Sequence, residues 1–369
     1  MSAAPGRPKQ ANIPSGDRST YSSSEGLASN AVVSASGGRI AATMAMHRQP
    51  SHDQLRLTTR VACMYHERGL GQARIAEQLG LSQARVSRLL KQAQELGIVR
   101  TTVHVPEGVH AEIEEQLEAR YGLDEMIVVE VADAASLDDD RMSQALAATA
   151  ASYLELAVPT WETVGVSSWS ATLLAAVNAM RPTGPGETRS IVQVLGGLGF
   201  ASSQAFATRL TERLAQLTKA EAIFMLAPGV VSTLATKAAL LTDPSCQQAL
   251  QRFDDLSAVL MGIGAIPPSR MLRESGNVFT EQDLADLRDA GAVGDVCMRF
   301  YDADGRHVPT PFDERVLGIG TEQLRRTRRR VGVAGGERKF EAIRAALRGH
   351  WLTTLVTDLH TAQQLLATP

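Results

Sequence analysis

The feature that most constrains the fold is a regular alternation of short apolar segments with longer helical ones, between about residues 125 and 349. The apolar segments, which predict buried strands, read EMIVVEV, TVGVS, SIVQVLGG, EAIFML, SAVLMGIG and RRVGVAGG. Between or after them, apolar residues recur at helical spacing in MSQALAATAASYLELA, TLLAAVNAM, QAFATRLTERLAQL and FEAIRAALRG. Strands that alternate with helices of this length predict an α/β domain, with a mainly parallel sheet covered on both faces. A charged segment before them, EGVHAEIEEQLEARYGL, is predicted to be a linker helix.

The segment before this domain predicts three short helices. The first runs from Leu55 to Gly69, the second reads QARIAEQLG, and the third lies in LSQARVSRLLKQAQELG. Ser82 is a suitable N-cap for the third helix, whose inward stripe comprises Val86, Leu89, Leu90 and Ala93. Two helices joined by a tight turn, the second with a polar and cationic front, are typical of a helix-turn-helix. The following IVRTTVHVP is predicted to be a strand that forms a wing.

Most of the residues that we expect to contact DNA lie on the third helix, and Arg74 lies on the second. Gln83 and Arg85 lie at its start, where Gln pairs with adenine and Arg with guanine in the major groove. Arg74, Arg88 and Lys91 are better placed for phosphates, which fix the register without reading the sequence. Ser82 and Ser87 complete the predicted DNA-contact set. The alternative is a small helical bundle whose cationic residues are only a solvated face.

Charge and composition support a division into domains. The net charge is −3, yet residues 51–105 hold eight Arg or Lys against four Asp or Glu. A basic module on a near-neutral chain is typical of a DNA-binding domain joined to a larger sensor. We predict a disordered tail at 1–50, rich in Ser, Ala and Gly, a helix-turn-helix domain at 51–106 and a sensor and oligomerisation domain at 107–369. Three separated cysteines without CxxC spacing, and no apolar run long enough for a membrane span, predict a cytoplasmic protein.

Three strand-to-helix junctions are rich in small and polar residues, and ligands of parallel sheets bind at such junctions. They are VGVSSWSAT, QVLGGLG and VAGGERK, and GAVGDV adds an aspartate after a glycine turn. The residues that point to a ligand are Ser167, Ser168, Ser170, Thr172, Gly196, Gly197, Asp295 and Lys339. The alternative is that the glycines form tight turns, the hydroxyls cap helices and the lysine lies at the surface.

These segments together resemble the SorC-type family of sugar-binding transcriptional regulators. The resemblance extends from about Leu55 to the C-terminus and rests on QARIAEQLGLSQARVSRLLKQAQELGIV, VGVSSWSAT, IVQVLGGLG, GAVGDVCMRFYDADG and VAGGERKFEAIRAALRG followed by LVTD. It implies an all-α winged helix-turn-helix, related to DeoR-type domains, joined to a Rossmann-like domain with the fold of sugar-phosphate isomerases. It further implies a homotetramer that binds operator DNA and responds to a sugar, sugar phosphate or polyol.

Matched positions of the family pattern imply the residues of the effector pocket. Asp295 would accept hydrogen bonds from ligand hydroxyls, and Lys339 would hold a phosphate or hydroxyl. The other implied pocket residues are Ser167, Trp169, Ser170, Thr172, Gln193, Gly196 and Gly197. The family pattern in the first loop is Trp-Gly-x-Thr, whereas this chain has Ser170 in place of the glycine, which narrows the loop or adds a hydroxyl.

Two rival interpretations remain open at this stage. The α/β domain could be a sugar-phosphate isomerase with an accessory DNA-binding domain, or it could serve assembly alone. We expect no metal and no cofactor. YDADG, from Tyr301 to Gly305, lacks the glutamate of a calcium loop and predicts a hairpin turn. RRTRRR, from Arg325 to Arg330, predicts a solvated helix end that leads into a strand.

Overall fold

The computed structural model describes residues 51–100, 106, 108–184, 186–197, 201–266, 268 and 279–368, with the backbone alone at 201–207. The predicted tail at 1–50 lies outside these residues, as do residues 101–105 of the predicted wing strand at 98–106. The chain divides into two compact units, one up to residue 102 and one from residue 103. We call them the helical unit and the α/β unit.

The helical unit consists of α1 (His52–His66), α2 (Gln72–Leu79) and α3 (Gln83–Glu95). Its core contains Val61, Met64, Ile75, Val86 and Leu90, so the inward stripe predicted for the third helix is confirmed. The predicted N-cap is also confirmed, because the Ser82 hydroxyl accepts a hydrogen bond from the Arg85 backbone N–H at 3.3 Å. Gly80 ends α2 in the left-handed conformation, at φ 63°, which makes the tight turn before α3.

Within the described residues, the α/β unit contains ten strands. They are β1 (Glu125–Val129), β2 (Thr163–Val166), β3 (Ser190–Gln193), β4 (Glu221–Ile223), β5 (Ala258–Met261), β6 (Gly264–Ala265), β7 (Ala292–Val296), β8 (Arg299–Asp302), β9 (Arg329–Val333) and β10 (Thr354–Asp358). Seven of them form a fully parallel sheet in the order β1-β10-β9-β5-β2-β3-β4. This confirms the predicted parallel α/β sheet.

Helices pack on both faces of this sheet and account for its apolar strands. The first helices are α4 (Ala111–Tyr121), α5 (Asp139–Ala157), α6 (Ala171–Ala179), α7 (Ala201–Thr218), α8 (Leu234–Thr242) and α9 (Pro244–Leu250). The remaining ones are α10 (Glu281–Asp289), α11 (Pro311–Arg315), α12 (Thr321–Arg326), α13 (Phe340–Arg348) and α14 (Leu359–Ala367). Every residue of β2, β3, β5 and β10 is buried, because one hydrophobic cluster lies on each face.

The segment predicted to be a charged linker helix is α4, and the prediction of a linker is wrong. Leu117 and Tyr121 are buried in the core of the α/β unit. On the same helix, the carboxylate of Glu118 accepts a hydrogen bond from the Met126 N–H at 2.8 Å, and that of Glu114 accepts one from the Val128 N–H at 2.9 Å. These two glutamates therefore occupy backbone donors on the free edge of β1, which is an outer strand of the sheet.

A second, antiparallel sheet of β6, β7 and β8 was not predicted from the sequence. Asp295 was expected beside the parallel sheet, but it lies within β7 and pairs with Gly264 of β6. β7 and β8 are joined by Cys297 and Met298, at φ 52° and 60°, so a two-residue turn is made without glycine. Such turns normally use Asn-Gly or Asp-Gly, and neither pair is present here, so the hairpin could not be predicted from its turn residues.

Two weaker sequence predictions have clear outcomes. YDADG forms the predicted turn, in which a carboxylate oxygen of Asp302 accepts hydrogen bonds from the backbone N–H groups of Asp304 and Arg306. The RRTRRR run joins the end of α12 to β9 as predicted, but it is not solvated throughout, because Thr327 is buried and Arg329 and Arg330 are only partly exposed. The Arg330 guanidinium is half-buried and donates to the carbonyls of Thr327 and Trp351. Burial lowers its pKa.

The cysteines and the helix hydropathy complete the description. Cys246 and Cys297 are buried, as expected for small core residues, whereas Cys63 is partly exposed. Among the residues that the structure describes, no helix combines the length and apolar character that crossing a bilayer requires.

Candidate functional site

The helical unit presents its predicted DNA-contact residues on one exposed surface. Gln83, Arg85, Ser87, Arg88 and Lys91 of α3 are all exposed, opposite the buried stripe of the same helix. Arg74 of α2 and Ser82 are exposed as well. Ser82 has a second role, because its hydroxyl caps α3. The surface is polar and cationic, as binding to a phosphate backbone requires.

The α/β unit contains a cavity of about 400 Å³ at the carboxyl edge of the parallel sheet. This volume lies in the range of small-molecule sites. Six of the predicted pocket residues meet there with residues from α5, the antiparallel sheet and α10. The predicted residues that line the cavity are Ser167, Trp169, Ser170, Thr172, Asp295 and Lys339.

The loop between β2 and α6 and the start of α6 supply hydroxyls that already make hydrogen bonds within the protein. The Ser170 side chain caps α6 by accepting from the Leu173 N–H at 3.1 Å. It also lies where a side chain on Gly262 would be, 2.6 Å from the position of an added Cβ. The Thr172 and Ser143 hydroxyls are hydrogen-bonded at 2.8 Å. Ser170 thus narrows the loop, and Gly262 is needed to accommodate it.

The second predicted junction supports the cavity rather than lining it. The Gln193 side chain is buried and donates to the Leu195 carbonyl at 2.8 Å. The Gly196 carbonyl accepts from the Trp169 indole at 3.3 Å, and Gly197 forms a bridge with Pro228. None of Gln193, Gly196 and Gly197 is among the described residues that line the cavity. Of the three, Gly196 positions Trp169, through its carbonyl.

Asp295 is a partly buried residue whose carboxyl lines the cavity. One of its oxygens accepts from the Met298 N–H at 3.0 Å, and the other lies against Gly264, 2.0 Å from the position of an added Cβ. Burial raises its pKa from 3.8 to about 6, against the opposing effects of the Met298 N–H and the charge of Lys339. Burial also raises the pKa of Cys297 to about 12, although a hydrogen bond from Ser167 opposes the shift. The thiol is therefore not a nucleophile near neutral pH.

Lys339 approaches the cavity from a glycine loop. It ends the 3-10 turn Glu337–Lys339, and burial lowers its pKa while the carboxylates of Asp139 and Asp295 oppose that effect. The turn follows Gly336, at φ 89° and ψ 154°, a conformation that other residues rarely adopt. The buried Asp358 carboxylate accepts from the Gly336 N–H at 2.8 Å. Asp358 thereby holds the loop that carries Lys339.

Several residues at or behind the cavity were not predicted from the sequence. Asp139 lines it and is ion-paired with Arg338, another lining residue. Asp358 lies in LVTD, which was noted only as part of the resemblance, and the position of this aspartate at a strand end before a helix was the available signal. The other lining residues that sequence reasoning missed include Ser143, Gly262, Gly264, Ile266, Phe279, Leu284, Leu287, Cys297, Met298 and Phe300.

Comparison with known proteins shows which family this chain belongs to. A family described as "Putative sugar-binding domain" matches residues 107–367. The sorbitol operon regulator of Klebsiella pneumoniae is 29% identical over 318 residues, which cover 85% of this chain and 98% of that protein. The deoxyribonucleoside regulator of Bacillus subtilis is also 29% identical, over 316 residues, with the same coverage of both chains.

One solved structure matches most of this chain. The full-length sorbitol operon regulator SorC from Klebsiella pneumoniae matches with a TM-score of 0.64 and 27% identity, covering 86% of this chain and all of that one. The family match, the parallel sheet and the two regulators point to the same conclusion. The chain belongs to the SorC-type family of sugar-binding transcriptional regulators.

Proposed function

We propose that the protein is a DNA-binding transcriptional regulator of carbohydrate or polyol metabolism, whose operator affinity is set by a sugar, sugar phosphate or polyol bound in the cavity. The observation that carries the proposal is the pairing of the exposed cationic face of α3 with an enclosed, partly polar cavity in the other unit. Gln83 and Arg85 of α3 read base edges, and Arg88 and Lys91 of α3 contact phosphates together with Arg74 of α2.

Within the cavity, the proposal assigns roles by chemistry. The Asp295 carboxylate accepts hydrogen bonds from ligand hydroxyls, and the Lys339 ammonium donates to a hydroxyl or phosphate oxygen. The hydroxyls of Ser167 and Thr172 can both donate and accept, which suits a polyhydroxyl ligand. Ligand binding must favour one arrangement of subunits over another, because a ligand that binds both equally shifts nothing.

The proposal includes a homotetramer in the cytoplasm that binds a palindromic operator with paired α3 helices. Subunit rearrangement would then change the spacing of those helices on the duplex. Light scattering of the full-length protein measures the assembly directly, with a mass of four 39.5 kDa chains expected. A monomer that binds its operator with full affinity would contradict this part.

The decisive experiment titrates DNA from the protein's own gene neighbourhood in the presence of sugars, polyols and their phosphates, at fixed salt. We expect one compound to shift the operator affinity, by about 5- to 150-fold. Lys339→Met should abolish the shift and retain DNA binding, whereas Arg85→Ala should weaken DNA binding and retain ligand binding. No specific DNA binding by the unaltered protein would overturn the proposal.

The proposal also holds that the protein is not an enzyme. Asp295 and Lys339 are partly buried and line one cavity, as acid–base groups of an isomerase would, so this rival has a specific observation in its favour. Turnover of candidate sugar phosphates would establish it. If instead no sugar or polyol produced a thermal shift, a domain that serves assembly alone would be favoured.

A further inference from the structure

The cavity has two chemically different walls. The carboxyl edge of the parallel sheet supplies the polar wall, which includes Ser167, Thr172 and Lys339. The second wall comes from the β7–β8 turn, β8, α10 and the segments beside them, and its side chains are apolar, in contrast to Asp295 of β7. We define the apolar wall as Ile266, Phe279, Leu284, Leu287, Met298 and Phe300, all of which line the cavity.

The apolar wall belongs to a packed hydrophobic cluster, in which Phe312 packs against two of its side chains. Phe279 stacks on Phe312 with ring centroids 4.7 Å apart, and Phe300 meets Phe312 edge to face at 5.7 Å. Phe279, Leu287, Met298 and Phe300 are buried, so the protein has removed them from water although they border a cavity. A wall braced in this way cannot collapse to fill the space itself.

Such a wall discriminates between kinds of ligand surface. A hydroxyl placed against it loses its hydration without gaining a hydrogen bond, which is unfavourable. A C–H or methyl group gains by leaving water and contacting the wall. A ligand that bears hydroxyls on every side satisfies only half of the cavity.

We propose that the effector is amphipathic: a sugar or polyol whose hydroxyl-bearing end meets the polar wall and which carries a deoxy carbon or a short alkyl group against the apolar wall. This inference rests on the proposed function, because it takes the cavity as the effector site. It adds the chemical class that the two walls select.

The experiment measures binding to the full-length protein by calorimetry for matched probes. The probes are hexoses and their 6-deoxy analogues (galactose and fucose, mannose and rhamnose), the methyl and propyl glycosides of each hexose, and the polyols and phosphates of the DNA titration. We expect the deoxy or propyl member of the binding pair to be at least about fourfold tighter, as burial of one CH₂ group predicts.

Variants of the apolar wall test the source of that preference. Leu284 is only partly buried, so Leu284→Gln is the mildest change, and Met298→Gln is a second variant of similar side-chain volume. Each should reduce the affinity ratio of the apolar to the parent probe to about one. Leu156→Gln is the matched control, a helical leucine that is 79% exposed and does not line the cavity; it should leave the ratio unchanged.

The outcomes separate this inference from the proposed function. A parent sugar, polyol or phosphate that binds as tightly as or more tightly than every apolar analogue would overturn the amphipathic ligand and leave the sugar-responsive regulator intact. A preference that survives both wall variants would also overturn it. Failure of every probe to bind would remove the assignment of the cavity as an effector site, and with it both proposals.

Discussion

The exposed face of α3 and the cavity of the α/β unit differ in whether the same side chains both stabilise the fold and are available for binding. On α3, Val86 and Leu90 pack the core while Arg85 and Lys91 face outward, so apart from the N-cap Ser82, folding and the proposed DNA contact use different side chains. At the cavity, Ser170 is a lining residue and also caps a helix. Under the proposed function, α3 can therefore change its DNA preference at little cost in stability, whereas changes at the cavity alter fold and ligand response together.

The largest effect that separates the two regions should come from Asp358→Ala. Its buried carboxylate accepts from the backbone N–H groups of Gly336 and Thr361, at 2.8 Å and 2.9 Å, and from the Thr361 hydroxyl at 2.7 Å. After the substitution both Thr361 donors lose these bonds, and the Gly336 N–H keeps only the Thr361 hydroxyl, 3.2 Å away. We expect the free energy of unfolding to fall by about 4 kcal/mol, since each orphaned buried donor costs roughly 1–3 kcal/mol. Urea unfolding followed by tryptophan fluorescence measures it, because all three tryptophans lie in the α/β unit.

The control for this change is Asp304→Ala. Asp304 is exposed and pairs with Arg306 at the surface, so its loss should change stability by no more than about 0.5 kcal/mol. Equal losses in the free energy of unfolding for the two substitutions would show that the hydrogen bonds of Asp358 stabilise the protein no more than a surface ion pair does.

The next effect is the pH dependence that Asp295 brings to the cavity. Its pKa is raised from 3.8 to about 6, so the folded chain holds the proton more tightly than the unfolded chain does. Between pH 4 and pH 6, approximately, this carboxyl should therefore lower the stability as the pH rises, by up to about 3 kcal/mol. The difference in unfolding free energy between the unaltered protein and Asp295→Asn, measured across this range, isolates the contribution. A difference that is constant with pH would contradict it.

A third test compares two cations on α3. Arg85→Ala should cost about 1–3 kcal/mol in operator affinity and relax the preference at one base pair. Lys91→Ala should weaken binding to all duplexes alike and reduce the slope of log affinity against log salt by about 1. Because both side chains are exposed, neither change should move the unfolding free energy by more than about 0.5 kcal/mol. Identical profiles for both variants would contradict the assignment of base and phosphate contacts.

The smallest effect concerns the turn that sets α3. A Cβ added at Gly80 meets no atom within 4 Å, so the cost of Gly80→Ala should be the left-handed backbone alone, about 1 kcal/mol. Gly71 has the same open space but φ −66°, which any residue adopts, so Gly71→Ala should cost less. Hydrogen exchange of α2 and α3 amides compares the two. A larger loss at Gly71 would show that backbone conformation does not control this turn.

The parallel sheet could be predicted because its strands carry their signal locally. TVGVS and SAVLMGIG are continuous apolar runs, which is what burial on both faces of a sheet produces. The antiparallel sheet escaped because β6 has two residues, β7 contains Gly294 with a register shift, and the β7–β8 turn has no glycine. No periodicity marks such strands.

The candidate site was predictable only on its polar side. Ser167, Thr172 and Lys339 follow strands in sequence, so the general rule for parallel sheets indicates them. The apolar wall is formed by residues from separate elements, such as Ile266, Leu284 and Phe300, each of which alone resembles an ordinary core residue. Gln193 follows the same rule as Ser167, yet its amide is used on the nearby Leu195 carbonyl, a local choice that spacing does not reveal.

The two glutamates of α4 have a consequence for how copies of this chain can join. A sheet that ends in an open strand can grow by accepting a strand from a neighbour, which is a common route to uncontrolled association. At β1, an added strand would first have to displace the carboxylate of Glu118 from the Met126 N–H and that of Glu114 from the Val128 N–H. Both carboxylates would then lose these hydrogen bonds. Lengthening of the sheet from this side is thus disfavoured, and contacts between subunits there must be made by side chains.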